Sequence, residues 1–569
     1  MDAIVYELSS MSESDPNIFI KKDWVSILDN QNANYAGNQA VIDTSQLSNS
    51  NKWINYREGY LTIPLQLCLS TATASAAFAP QTAPTSVDYG VGLKNWYGSV
   101  IHSISVDLAG STIIQQTPFQ SLWNNFKLLT TLSYQDLLTL GPSIGFYPDN
   151  SASWSYSTIA SVYGSVGVSN NVNNFRAPVI TGAANSFEIT NTGLYQRQRN
   201  WNFNVAGLTG VSQTGTVAQA AFSALITQAS LSQVYKSSII KTAAGIWQAN
   251  IVSTVLLRHL HSFFDKMPLC KGVFMKITLN LNNTVVVFNS TTGRIMSQTQ
   301  GSSQFPLGGV NPILVSSSDA GSGMAASAAA VPTDYNVSLS VGGTCLDQAS
   351  KTAGSIAGPL LNMTLTIPSY TFNPIYEQAY LSNPVRKIDY EDIYQYQVLS
   401  VAKAATFNNL ITNGIAGIKS VLVIPFHSAV AAVNNTISPL QSAFDPAGGG
   451  TTSPLTLLNN FNVVISGQNA IYNSQRYTYE EFLNQLNGQN GVNGSQVDGM
   501  SSGLISQFDF ESSYNYYYVN VERCLPMEKG VSKSVNIIGQ NQSEFAIDLY
   551  VFVSYGCSVN LNLFTGQRV

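Results

Sequence analysis

Apolar and polar residues alternate along many short stretches of this chain, and few stretches repeat an apolar residue every third or fourth position. Ile101-His-Ser-Ile-Ser-Val-Asp-Leu108 reads as a half-buried strand. An Ala-Gly turn then returns the chain through Thr112-Ile-Ile-Gln-Gln116 as its hairpin partner. Gly59–Cys68 is also strand-like, with Pro64 arguing for an edge position or a bulge. Further strands are expected over Val273–Leu281, Met363–Tyr370, Ile388–Val401, Val421–Phe426, Phe461–Ser466, Tyr514–Val521, Ala546–Tyr555 and Val559–Leu563. Helical spacing is confined to Ser133–Gly141, Val217–Tyr235, a turn at Leu256–Met267 ended by Pro268, Pro374–Tyr380 and Tyr477–Leu486.

Long connections rich in Ser, Gly, Asn or Ala divide these elements, at 142–215 and 298–358, the latter including Ala320–Ala330. One pattern occurs twice. The strand around Ile101–Leu108 leads to Thr117-Pro-Phe-Gln-Ser-Leu-Trp123, and the strand Ile418–Phe426 leads to Ser438-Pro-Leu-Gln-Ser-Ala-Phe444, each with a short helix beyond. A chain of 569 residues is long enough for two or three domains. Many strands, long loops and only short helices indicate antiparallel sandwiches. The expected fold is therefore all-β, with two consecutive eight-stranded antiparallel jelly-roll sandwiches, long loops and short helices. Residues 1–55 read as an N-terminal arm, 56–375 as a first jelly roll with long loop insertions, and 376–569 as a second.

Composition sharpens the picture. Charged residues make up only 10% of the chain, whereas 44% are apolar. A neutral surface of hydroxyl and amide side chains carries no Born penalty on desolvation, which suits a protein that buries much of its outside against neighbours. Twenty-six basic residues against 31 acidic ones give a net charge of −5, and basic residues adjoin only at Lys21-Lys22 and Arg386-Lys387. Direct nucleic-acid binding needs a clustered basic patch, so none is expected. Cys68, Cys270, Cys345, Cys524 and Cys557 form no CxxC pair, which points away from a disulfide framework or zinc site and toward a reducing compartment. The first residues lack a secretory pattern, and the longest apolar run, Val421–Val433, is too short and broken to span a membrane.

The search for reaction chemistry returns no site. Gly499-Met-Ser-Ser-Gly503 fits the nucleophile pattern G-x-S-x-G, but it lies in a loop and all four histidines precede it. His259 and His261, with Asp265 nearby, could suggest a metal, yet i and i+2 on a helix point apart. Asp389, Glu391 and Asp392 gather carboxylates on one strand rather than across a cleft, and Arg386 and Lys387 are at hand to pair with them. Tyr514-Asn-Tyr-Tyr-Tyr518 could stack on sugars but fills a sandwich core more simply. Neither P-loop, HExxH nor EF-hand is present, so no catalytic residue, metal or cofactor is expected.

Several segments carry a family resemblance. Leu93-Lys-Asn-Trp-Tyr-Gly98 with the strand after it, Gly110–Phe119, Gly145-Phe-Tyr-Pro-Asp149 and Leu260–Pro268 resemble the major capsid proteins of polinton-like viruses. Pro368-Ser-Tyr370, Asn373–Glu377, Ile388–Asp392, Ser466–Asn469 and Tyr477–Phe482 continue it in the same order, over roughly residues 56–565. Virophages and other double-stranded DNA viruses with double jelly-roll capsid proteins are the wider relatives. The resemblance implies a non-enzymatic homotrimer, a pseudo-hexameric capsomer that tiles an icosahedral shell. It implies neighbouring capsomers, minor capsid proteins and penton proteins as partners, and a virion capsid assembled inside the host cell. A carbohydrate-binding or glycan-cleaving β-sandwich protein is the alternative, favoured only by secretion and by carboxylates facing each other across a groove.

Overall fold

The computed structural model describes residues 17–31, 35, 38–48, 50–71, 89–93, 95–148, 238–243, 246–282, 284–290, 296–300, 312–316, 334–342, 344–347, 352–357, 362–428, 456–471, 477–487, 501–512, 514–521, 530–543 and 546–569. The expected helix Val217–Tyr235, the second heptapeptide Ser438–Phe444 and the Ala320–Ala330 run lie outside them.

The first strands are β1 (Phe19–Leu28), β2 (Gln39–Asp43), β3 (Trp53–Ile54), β4 (Tyr60–Thr71), β5 (Tyr89–Leu93), β6 (Ile101–Leu108), β7 (Ser111–Ile114), β8 (Ser238–Ala243) and β9 (Ile246–Leu256). Then come β10 (Met275–Leu281), β11 (Thr284–Ser290), β12 (Met296–Gln300), β13 (Pro312–Ser316), β14 (Asp334–Val341), β15 (Thr344–Asp347), β16 (Thr352–Ala357) and β17 (Thr364–Phe372). The C-terminal part adds β18 (Val385–Val401), β19 (Thr406–Ile415), β20 (Ile418–His427), β21 (Leu458–Ile465), β22 (Gln468–Asn469), β23 (Tyr517–Asn520), β24 (Lys533–Asn541) and β25 (Ile547–Asn562). Short helices are α1 (Ser45–Ser48), α2 (Gln120–Thr131), α3 (Tyr134–Ile144), α4 (Leu257–Leu260), α5 (Ser262–Lys266), α6 (Pro374–Tyr380), α7 (Tyr479–Asn487) and α8 (Gln507–Ser512).

Two layers form the first sandwich, β1-β17-β4-β9 and β2-β10-β6-β7, with every ladder antiparallel. Numbered along the chain as β1, β2, β4, β6, β7, β9, β10 and β17, these strands run 1-8-3-6 in one layer and 2-7-4-5 in the other. The second half repeats the scheme, with β18-β25-β20-β23 and β19-β24-β21-β22. Both are jelly rolls. Apart from β3, which lies in the second-to-third connection and pairs with β17, the extra strands belong to the third-to-fourth, fifth-to-sixth and seventh-to-eighth connections of the first sandwich. They join one another there, β5 with β13, β14 with β4 and β11, and β8 with β9.

Three sequence expectations need correcting. Residues 1–55 are not merely an arm, because β1 and β2 are the first and second strands of the first jelly roll, paired along β17 and β10. A register shift between Phe19 and Lys21 breaks the alternation, and the charged Lys21-Lys22-Asp23 run masks the strand. Pro64 lies at neither an edge nor a bulge, since β4 pairs on both sides. One neighbour changes there, from β17 at residues 60–62 to β14 at residues 65–71, so the missing N–H falls in the gap. Pro425 holds the matching place in β20, beyond the end of its ladder with β23.

The heptapeptide repeat is out of register as well. β6 is a fourth strand whereas β20 is a third. The true counterpart of the β6–β7 hairpin is β21–β22. Their turns agree closely, with Ala109 and Gly110 at φ 49° and 84° and Ser466 and Gly467 at φ 48° and 85°. Two consecutive positive-φ residues make the hairpin turn whose twist suits antiparallel strands.

Burial locates the join between the halves. In β20, Val421 and Val423 face the interior of the second sandwich, while Leu422, Ile424 and Phe426 face the first half of the chain. β25 divides likewise, with Leu549, Val551 and Val553 inward and Tyr550 and Phe552 outward. A sheet buried on both faces explains why these strands read as continuous apolar runs rather than alternating ones.

Candidate functional site at the seam between the sandwiches

The seam is built around α2. Its apolar side chains recur at Leu122, Phe126 and Leu129, the spacing of one helical face, and Trp123 adds a second stripe. Phe119, which precedes the helix, has φ 56°, a left-handed conformation that a bulky residue adopts only when its surroundings enforce it. Across the seam Phe119 meets Tyr550 edge-on at 5.3 Å, Trp123 lies 6.3 Å from Phe552, and Phe126 contacts Tyr516 at 5.3 Å and Tyr518 at 5.4 Å. Aromatic pairs at such separations add about 0.5–1.5 kcal/mol each beyond their area burial.

Hydrogen bonds fix the register of this contact. The Thr117 hydroxyl donates to the Ile393 carbonyl at 2.8 Å, and the Tyr390 hydroxyl donates to the Ile113 carbonyl at 2.6 Å. Ser262 Oγ donates to the Glu391 carbonyl and accepts from its N–H, at 2.7 and 2.9 Å. The linker helix α6 is held from the first half, where Trp53 Nε1 and Lys271 Nζ both donate to Glu377 Oε1.

The charged residues singled out from the sequence come together here in structural pairings. Asp389 is exposed and pairs with Lys387 at 2.8 Å. Glu391 turns instead to Lys419 at 3.0 Å and Lys127 at 4.0 Å. Burial works to raise its carboxyl, but the two ammonium groups outweigh that and hold it below the ordinary value. Arg386 pairs with neither acid and lies over the Tyr380 ring at 5.7 Å. Asp392 is buried, 3.5 Å from His261 Nε2, while His261 Nδ1 accepts the Phe263 N–H and so starts α5.

His259 lies 6.5 Å from the Trp96 ring, and burial lowers its pKa to about 4. Asp265 pairs with Arg57 at 3.1 Å. Among the described residues no group of three potential metal ligands is assembled. A cavity of about 440 Å³ adjoins this cluster, bordered by Lys127, Asp136, Arg258, His261, Asp265 and Glu391.

The described part of the G-x-S-x-G segment is a docking loop. Ser502 donates to the Ile505 carbonyl, and Leu504 N–H donates to the Leu129 carbonyl at the end of α2. Gly503 has φ 70°, and a Cβ there would come within 2.4 Å of the Leu129 oxygen. Tyr514, Tyr516 and Tyr518 fill the seam, whereas Tyr517 points into the second sandwich. Sequence reading missed α2 as a helix, although the Leu122, Phe126, Leu129 spacing was available.

Two like jelly rolls with a shared aromatic seam make this a double jelly-roll protein. No family model and no curated relative matches the sequence. Solved structures match it over most of its length. The Sputnik virophage structure determined by cryo-EM is similar at 10% identity and a TM-score of 0.42, over 98% of this chain and 90% of the other. The mavirus major capsid protein is similar at 9% and 0.42, covering 98% and 91%, and the Faustovirus major capsid protein at 11% and 0.41, covering 98% and 96%. The fold assignment rests on the chain's own ladders and not on these likenesses, whose TM-scores lie below 0.5.

Proposed function

We propose that this chain is the major capsid protein of an icosahedral double-stranded DNA virus, and that three copies form a capsomer of six like sandwiches. The observation that carries the reading is the identical 1-8-3-6 and 2-7-4-5 strand order in both halves, joined through α2. Two like modules in one chain need only a threefold ring to present a six-part outline that tiles a shell, and closed cyclic symmetry buries the same patch on every copy. In this reading the modules divide at α6, the first beginning with β1 at Phe19 and the second with β18 at Val385.

The end where β5, β8 and β11–β16 gather faces outward to the host. The opposite end faces minor capsid and penton proteins, with assembly inside the infected cell. The chain's work is mechanical: His261, Glu391 and Asp392 are engaged in the seam, and the glycan-cleaving alternative gains nothing from them. Sedimentation equilibrium of the purified full chain tests the reading. A species of three times 61.3 kDa is expected, whereas a concentration-independent 61.3 kDa particle would contradict it.

A further inference from the structure

Lys271 is the most buried lysine among the ion pairs of the described residues, its side chain 10% exposed where the others range from 28% to 65%. Its Nζ lies 4.9 Å from the Trp53 ring centroid and 6.0 Å from that of Phe564. Two side chains meet it there. Nζ donates to Glu377 Oε1 at 2.5 Å and to Asn51 Oδ1 at 3.2 Å. A salt bridge needs only the first contact. The second sets a carboxamide against an amine whose proton the neighbouring carboxylate can take.

The backbone holds all three groups in place. Ile54 and Cys270 exchange both of their backbone hydrogen bonds, at 2.9 and 3.3 Å, which fixes the stretch after Asn51 beside Lys271. The Lys271 N–H donates to the Leu563 carbonyl at 2.8 Å. Glu377 sits on α6, where its N–H donates to the Asn373 carbonyl at 3.0 Å, and Trp53 Nε1 donates to the same Oε1 at 2.8 Å. Groups held in this way react as if within one molecule of fixed geometry, without the entropy cost of an encounter.

We propose that Lys271 and Asn51 are the site of a self-formed isopeptide cross-link, with Glu377 as its catalytic acid and base. The Glu377 carboxylate takes a proton from the Lys271 ammonium, and the neutral Nζ attacks Asn51 Cγ, pushing the carbonyl electrons onto Oδ1. The Glu377 carboxyl then hands its proton to the amide nitrogen and takes one from Nζ. As Oδ1 re-forms the carbonyl, the Cγ–Nδ2 bond breaks and ammonia leaves with its electron pair. Ammonia takes up the proton left on Glu377, so one amide replaces another and nothing is oxidised or reduced. The Lys271 contact holds the Glu377 carboxyl below its ordinary value, so the ion pair is the resting form and the reactive neutral pair is scarce. The bond therefore forms slowly, after folding. It joins positions 220 apart in the chain and encloses β3 through β9 in one covalent loop that thiols cannot open. The cross-link lies within one chain and is independent of the trimer reading.

Intact mass and tryptic mapping of the purified full chain, after prolonged incubation of the folded protein, test this. The chain should weigh one ammonia less than its sequence. Trypsin does not cut beside an acylated lysine, so residues 23–52 should emerge joined to residues 267–276 as one branched peptide. Lys271→Met and Asn51→Ala chains should keep their full sequence mass, and Glu377→Gln, which can still accept from Trp53, should lose the branched peptide as well. A folded wild-type chain of full sequence mass overturns the proposal, and this reading needs no variant to fold. Ammonia loss with two linear peptides also overturns it, because it reports an asparagine closing on its own backbone. A branched peptide that forms as fast in Glu377→Gln overturns the role given to Glu377.

Discussion

Phe126 of the first half stacks on Tyr518 of the second, ring centroids 5.4 Å apart and planes inclined at 29°. Both rings are buried, at 1% and 0% exposure, so this pair ties one sandwich to the other without help from solvent. Phe126→Ala should destabilise the protein by about 3–5 kcal/mol, the cost of a large-to-small change in a packed core. The double cycle with Tyr518→Ala should return a coupling of about 0.5–1.5 kcal/mol. Urea unfolding followed by tyrosine and tryptophan fluorescence measures both. Additive effects would mean the rings are neighbours without mutual stabilisation.

Gly503→Ala should be costly for its chemistry. The glycine holds φ 70°, and the new methyl carbon would sit 2.4 Å from the Leu129 carbonyl oxygen. Left-handed strain alone costs roughly 1 kcal/mol for alanine, and the backbone clash adds to it. The expected loss is about 2–3 kcal/mol, with faster proteolysis in the 501–506 loop as the local readout. Unchanged cleavage there would place the loop away from α2.

Tyr390→Phe removes a single oxygen and leaves the Ile113 carbonyl without the 2.6 Å bond that it accepts across the seam. The expected loss is about 1–2 kcal/mol, as for one buried hydrogen bond whose partner stays behind. Thermal melting checks this, and a neutral result would assign the register of the seam to packing alone.

Acid should weaken the fold in a particular window. Burial holds His102 and His259 at a pKa of about 4 in the folded chain, against an ordinary 6.5. A depressed folded pKa means the unfolded chain takes up protons first as pH falls. Stability from this source is therefore complete above pH 6.5 and is lost progressively down to about 4. Glu391, held below its ordinary value, acts in the same direction at the acid end. Melting temperature should fall between pH 6.5 and 4, and His259→Asn should flatten part of the fall. A profile rising toward acid would contradict the assignment.

Much of the architecture was legible from period alone. The β6–β7 hairpin showed alternation with a Gly-containing turn, and β20 and β25 showed apolar runs. Six strands of the sixteen-strand scheme, β1, β2, β9, β19, β22 and β24, were not among the expected ones, and β22 is only two residues long. β1 carries charges beside a register shift, and β2 is only five residues long. β19 is buried at only two of its ten positions, Phe407 and Ile411, so few apolar residues mark it. β24 was readable, since Val535, Ile537, Gly539 and Asn541 alternate with outward residues, but glycine and asparagine in the inward set hide the pattern.

The seam was harder. Nothing local in Phe119–Leu129 says that the helix covers a sheet more than four hundred residues later in the chain, at Tyr550 and Phe552. The sequence match of Thr117–Trp123 with Ser438–Phe444 pointed to duplication but paired unequal strands. Turn geometry at Ala109-Gly110 and Ser466-Gly467 corrects it.

Single-particle electron microscopy of the purified full-length chain tests the capsomer directly. Class averages should show six lobes of similar size around a threefold axis, two contributed by each chain. Two-lobed particles at every concentration, or a ring whose symmetry is not threefold, would contradict it.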